Sequence, residues 1–193
     1  MNTLARTSIL ILAVLFGGAT SDSQRYEVLP ESRIWIDGSS TTGSYSCIGD
    51  RVVGNGTLDA GPRTSVIVHV AVPVRSFDCG MRQMNADIVE ALKADAHPAI
   101  SFSLGEADWS SGSFSQGTWV SMSATGELEV AGVTRHIAFA LEGQRLADGR
   151  VHVRGAHPLR MTDFGIEPPS GLLGLVRSDD DIVVRFDLQA VPR

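Results

Sequence analysis

No run of apolar residues in this 193-residue chain approaches the ~20 that a membrane-spanning helix needs. The main one, residues 9–16, follows a single positive charge, Arg6, and precedes the small residues Gly17, Gly18, Ala19, Thr20 and Ser21. That order is the layout of a secretory signal peptide. Residues 1–21 are expected to be removed, with cleavage near Ala19 to Ser21, leaving residues 22–193 as one soluble domain, periplasmic or secreted. Cysteine is scarce too, with only Cys47 and Cys79. Neither follows the apolar run directly, which argues against a lipoprotein anchor, and two are too few for a zinc site unless histidines join them. An even count in an oxidising compartment favours a Cys47–Cys79 bridge, which would stabilise the domain by roughly 3 to 4 kcal/mol on the chain-entropy model. Two separate buried thiols are the alternative. Lysine is nearly missing, Lys93 being the only one, which reads as genome composition and decides nothing about mechanism. Without Arg6 the chain has 15 basic and 22 acidic residues, net −7. That balance disfavours nucleic acid or an anionic membrane as a partner.

The chemistry of common active sites is also missing. The nearest approach to a nucleophile elbow, Ser113-Phe114-Ser115-Gln116-Gly117, lacks its first glycine and falls in a serine-rich stretch, residues 108–117. The histidines His69, His97, His136, His152 and His157 are scattered, and their spacing matches no metal site. His69, His136 and His152 fall on the polar side of their strands, where exposure is expected. Gly54-Asn55-Gly56 lacks the further glycine of a dinucleotide loop and reads as a turn or bulge. Asp179, Asp180 and Asp181 have no glycine-punctuated ligand loop around them, so a solvated turn fits better than a calcium site. The sequence thus offers no catalytic residue, metal or cofactor.

What is present is alternation. Ser32, Ile34 and Ile36 oppose Arg33, Trp35 and Asp37; residues 44–48 and 52–58 follow, separately or as one long strand kinked at its glycines. Val66, Val68, Val70 and Val72 form the cleanest period-two row, with Ile67, His69 and Ala71 opposite. Later rows are Ile100, Phe102, Leu104; Val120 through Leu128 and Val130; Ile137, Phe139, Leu141; Val151, Val153 towards Leu159; and Ile182, Val184, Phe186, Leu188. Ala131-Gly132 and Asp148-Gly149 mark hairpins. About eight mostly antiparallel strands joined by short turns predict an all-β fold with one or two short helices, a lipocalin-like eight-stranded barrel able to hold one small ligand. A two-sheet sandwich has the same pattern.

Two segments break the alternation. In residues 79–102, Met81, Met84, Ile88 and Ala91 recur at helical spacing with Leu92 beside them, while Arg82, Asp87, Glu90 and Lys93 point away. A three-turn helix ends near Ala94, and His97 before Pro98 returns the chain to strand. It falls after the third or fourth strand and suggests a lid. In residues 161–174, Pro168, Pro169 and Gly171 forbid a strand, while Phe164, Ile166, Leu172 and Leu173 need burial. A loop over one barrel end fits, and so does a packed connection without ligand contact.

Taken in order, several segments resemble the YceI-like family: Met84-Asn85 to Ala91-Leu92 with His97-Pro98-Ala99-Ile100-Ser101-Phe102, Gly126 to Arg135, Met161-Thr162-Asp163-Phe164-Gly165-Ile166, and Asp181-Ile182 to Asp187-Leu188. The resemblance spans nearly all of residues 22–193. It implies an exported lipocalin-like barrel that in some members binds a long polyisoprenoid chain; Cys47 and Cys79 are outside the general pattern. The expected occupant is an apolar, isoprenoid or other lipid-like ligand. Its expected contacts are the inward rows Val68, Val70, Val72; Phe102, Leu104; Leu128, Val130; Phe139, Leu141; and Val184, Phe186, with Met84, Ile88, Phe164 and Ile166 at the mouth. An envelope interaction module with a filled barrel is the second reading, and an enzyme the third.

Overall fold

The structure is a computed structural model that describes residues 23–59, 65–109, 116–171 and 176–193. The expected signal peptide, residues 110–115 of the serine-rich stretch, Leu172 and Leu173 lie outside the described residues. The strand segments are β1 (Ser23–Val28), β2 (Arg33–Ser40), β3 (Gly43–Gly49), β4 (Val53–Asp59), β5 (Ser65–Pro73), β6 (Phe77–Asp78), β7 (Ala99–Trp109), β8 (Val120–Val130), β9 (Val133–Arg145), β10 (Val151–Arg160), β11 (Ser170–Gly171) and β12 (Val176–Pro192). The helix α1 spans Arg82–Ala91.

β1 pairs with β4 and β2 with β3, so the four segments make one long hairpin whose two arms are each broken part-way. At the first break the Ser32 hydroxyl accepts the Gln189 N–H at 3.0 Å and Leu29 N–H donates to the Gln189 carbonyl at 2.7 Å, which keeps the broken arm tied to β12. Residues 44–48 and 52–58 are therefore two strands, separated at residues 50–52, within one arm. Gly54 and Gly56 are not a turn: both lie in continuous antiparallel register, opposite Val70 and Val68.

The remaining arms are β5, β7, β8, β9, β10 and β12, and β12 closes the ring by pairing with β10 on one edge and with β2 and β1 on the other. The product is an eight-stranded closed antiparallel barrel with, among the described residues, a single short α-helix, after the third arm. Side chains alternate in and out as the sequence pattern predicts; β8 buries Val120, Ala124 and Val130 and exposes Ser121, Ser123 and Glu129. Ala131 and Gly132 form the two-residue β8–β9 turn with φ of 51° and 82°, the mirror-image geometry that suits a right-twisted hairpin. β7 runs on to Trp109 through a register shift between Leu104 and Glu106, so the connection after it begins later than the serine-rich composition suggests.

The helix differs in detail from its expected form. Met81 is its N-cap and is 60% exposed, off the apolar face. Its C-terminus closes with Lys93 N–H on the Glu90 carbonyl (2.9 Å) and Ala94 N–H on the Val89 carbonyl (3.0 Å), with Lys93 at φ 51° where glycine is usual. Residues 161–164 form a 3₁₀ turn, and Met161, Phe164 and Ile166 pack with Val74, Leu92, Ala94, Val130 and Ala131 to plug one barrel end. The three aspartates are not a turn before the last strand; they occupy the β12 register shift between Ser178 and Ile182. Asp180 there accepts the Thr162 N–H (2.8 Å), the Thr162 hydroxyl (2.7 Å) and Arg160 Nε–H (3.0 Å), which fastens the plug to the wall. These bonds hold its carboxyl below the usual range, those from Thr162 most strongly. Among the described residues no helix is long and apolar enough to cross a membrane.

Candidate ligand-binding cavity

Inward rows from every arm face one another across a cavity of about 670 Å³. It runs from the plugged end, at Leu92, Phe164 and Ile166, to the opposite end, at Leu58, Val66, Met122 and Val151. A volume of this size suits one small-molecule guest. Its walls are almost wholly hydrocarbon.

Two aromatic rings explain why the barrel is not filled by its own side chains. Phe186 lies over Gly155, its direct partner on β10, and a Cβ at that glycine would fall 2.5 Å from the ring. Phe102, whose direct partner on β8 is Leu128, lies diagonally over Gly126 of that strand, where a Cβ would fall 2.6 Å from the ring. Each ring thus lies flat against the sheet where the neighbouring strand lacks a side chain, leaving the lumen clear. Phe139 joins them edge-on, 5.5 Å from Phe102 and 5.8 Å from Phe186.

All the residues expected at the ligand lie on this cavity. Val68, Val70 and Val72 come from β5, Phe102 and Leu104 from β7, Leu128 and Val130 from β8, Phe139 and Leu141 from β9, and Val184 and Phe186 from β12. Met84 and Ile88 of α1 and Phe164 and Ile166 of the plug complete the set. They divide by burial. Val70, Val72, Val130, Phe164 and Ile166 are buried and pack as core while showing one side to the cavity; the other ten are half-buried although they point inward. The cause is the open lumen in front of them.

The disulfide joins Cys47 of β3 to Cys79, in the segment leading into α1. Asn85 of the first helical turns accepts the Cys79 N–H at 2.7 Å and donates to Asp78 at 3.1 Å, so the bridge and the helix start are positioned together. Both cysteines line the cavity.

The polar lining is sparse. Asp87, expected on the outer side of α1, borders the cavity instead, because the lumen opens beneath more of the helix than its apolar stripe covers. Tyr45 sits in the wall with its phenol bonded to Ser178, and burial raises its pKa. His157 of β10 projects inward beside Phe139, ring centroids 5.7 Å apart, and burial lowers its pKa. Sequence reasoning passed over His157, although its position has the parity of Val151 and Val153. His152 is not simply exposed: it bonds Asp187 at 2.8 Å and packs edge-on to Trp119 at 4.9 Å. His69 bonds Ser103 at 3.0 Å across the outer face.

A closed antiparallel barrel around an apolar tube, capped by one helix and a 3₁₀ plug, defines a lipocalin-like architecture. The family model of the YceI-like domain matches residues 32–190, and the chain belongs to the YceI-like family. A comparison with curated proteins gives no match. Among solved structures, BcnA of Burkholderia cenocepacia is similar with a TM-score of 0.68 and 15% identity, over 83% of this chain and 96% of that one. A polyisoprenoid binding domain from Saccharophagus degradans, implicated in plant cell wall breakdown, has a TM-score of 0.66 and 15% identity, over 86% and 97%. The Campylobacter jejuni YceI protein has a TM-score of 0.57 and 15% identity, over 76% and 84%.

Proposed function

We propose that this protein is an exported carrier, periplasmic or secreted, that holds one apolar chain, isoprenoid or otherwise lipid-like, inside its barrel. The single observation that carries this reading is the continuous hydrocarbon-walled cavity of about 670 Å³, which the rings of Phe102 and Phe186 leave open. An apolar chain entering it would leave water at roughly 25 cal/mol per Å² of surface buried. The polyisoprenoid-binding neighbour supports the isoprenoid class, and the disulfide suits an oxidising compartment. Catalysis fits less well, since the ionisable lining groups Tyr26, Tyr45, Asp87, Arg145, His157 and Arg160 are spread over β1, β3, α1, β9 and β10, and no nucleophile with its base gathers among the described residues. A filled-barrel interaction module fits less well for the same reason that the cavity exists.

The test is substitution of Phe102 or Phe139 by tryptophan, which takes up lumen without adding charge. Both variants should fold and carry less lipid than the parent protein. Unchanged lipid occupancy in both would count against an internal site.

A further inference from the structure

His157 is a polar side chain in an apolar tube, and among the described residues it has no hydrogen-bond partner. Its strand neighbours present only hydrocarbon: Phe139 from β9, Val184 directly opposite on β12, and Phe186 one inward position further along. Further round the wall, Leu128 of β8, Phe102 of β7 and Val68, Val70 and Val72 of β5 bring no charge to the lining. The other ionisable lining groups, Tyr26 (β1), Tyr45 (β3), Asp87 (α1), Arg145 (the last residue of β9) and Arg160 (the last residue of β10), belong to other elements or to strand ends.

In an empty barrel water satisfies the imidazole. A pure hydrocarbon guest expels that water and strands one N–H and one ring nitrogen, at a cost. A guest with its own hydrogen-bonding atom at that depth does not. An anionic group is a poor fit, because no cation faces this position and burial favours the neutral ring. In register, His157 is three positions from Arg160 at the plugged end and six from Val151 at the other, so the polar group would lie about 10 Å in from the plug.

We propose that His157 is a polar subsite inside the tube, selecting an apolar chain that carries one uncharged hydrogen-bonding oxygen, a hydroxyl or a carbonyl, near the plugged end. This rests on the carrier reading above and adds the chemistry of the guest. A second consequence concerns pH. An apolar guest lowers the imidazole's proton affinity further, so binding is at full strength above the ordinary histidine value of 6.5 and weakens as pH falls through the lowered one.

The test uses the whole mature chain and displacement of a fluorescent apolar probe by three guests with the same C20 isoprenoid chain: the alcohol, the diphosphate and the unsubstituted hydrocarbon. The parent protein should prefer the alcohol to the hydrocarbon by about tenfold. His157→Leu should erase that preference and flatten the acid-side loss of hydrocarbon binding, while His157→Gln, which keeps a hydrogen-bonding amide, should retain most of the preference. Equal binding of alcohol and hydrocarbon by the parent, a preference that survives in His157→Leu, or the diphosphate binding best would each overturn the subsite and leave the carrier reading standing. Failure of the parent to bind any of the three overturns the carrier reading and the subsite with it.

Discussion

Removing the Cys47–Cys79 bridge should destabilise the barrel by roughly 3 to 4 kcal/mol. The two residues are 32 apart in sequence, and freeing a loop of that length restores to the denatured chain the entropy that the bridge takes away. Cys47 is 2% exposed among Val52, Val70, Val72 and Phe77, so serine would bury a hydroxyl, and alanine is the cleaner replacement. For a chain of this size each kcal/mol moves the melting temperature by roughly 2–4 °C, so the double variant Cys47→Ala/Cys79→Ala should melt roughly 6–16 °C lower. Calorimetry of the oxidised protein, the reduced protein and the double variant separates the causes. If loop entropy dominates, the reduced protein and the variant should melt together. A fall below about 3 °C would refute the reasoning. A large fall in the variant that reduction does not reproduce would place the effect in sulfur packing instead.

Three further outcomes follow from particular residues. Lys93→Gly should stabilise by about 0.5–1 kcal/mol, since only the backbone sign at φ 51° is relieved; a urea midpoint that does not rise contradicts this. Gly155→Val should cost about 1–3 kcal/mol and reduce lipid occupancy, because the new side chain drives the Phe186 ring off the wall into the lumen; unchanged occupancy would show that the ring has room elsewhere. The carboxyl of Asp180 titrates below 3.8 in the folded protein, so its contribution is complete above that value and is lost as pH falls through the lowered one. Asp180→Asn should therefore flatten the acid limb of a stability-against-pH curve, and an unchanged limb would remove Asp180 from the plug's anchoring.

The inward rows were legible in the sequence because a closed barrel needs an apolar residue at nearly every second position, and Val66 to Val72 and Ile182 to Leu188 meet that need without interruption. The helix and the plug were legible as breaks in the same period. The glycines were legible only in part, because local rules leave Gly54 and Gly56 as kinks in a strand or as a turn or bulge, and only their register with Val68 and Val70 makes them regular strand residues. The function of Gly155 exists only across the β10–β12 pair, where Phe186 covers it. His157 shares the parity of Val151 and Val153, yet its polarity hid it from a search for apolar rows. Asp87 was misplaced for a related reason: helical spacing fixes which residues share a face, but how wide a cavity opens under that face is set by the facing walls.

The carrier reading is tested most directly by organic extraction of the protein purified from its own host, followed by mass spectrometry of the extract. A single class of apolar chain at close to one per barrel, carrying a neutral oxygen function, is the expected result. Barrels consistently empty across preparations would contradict it and leave an envelope interaction role in its place.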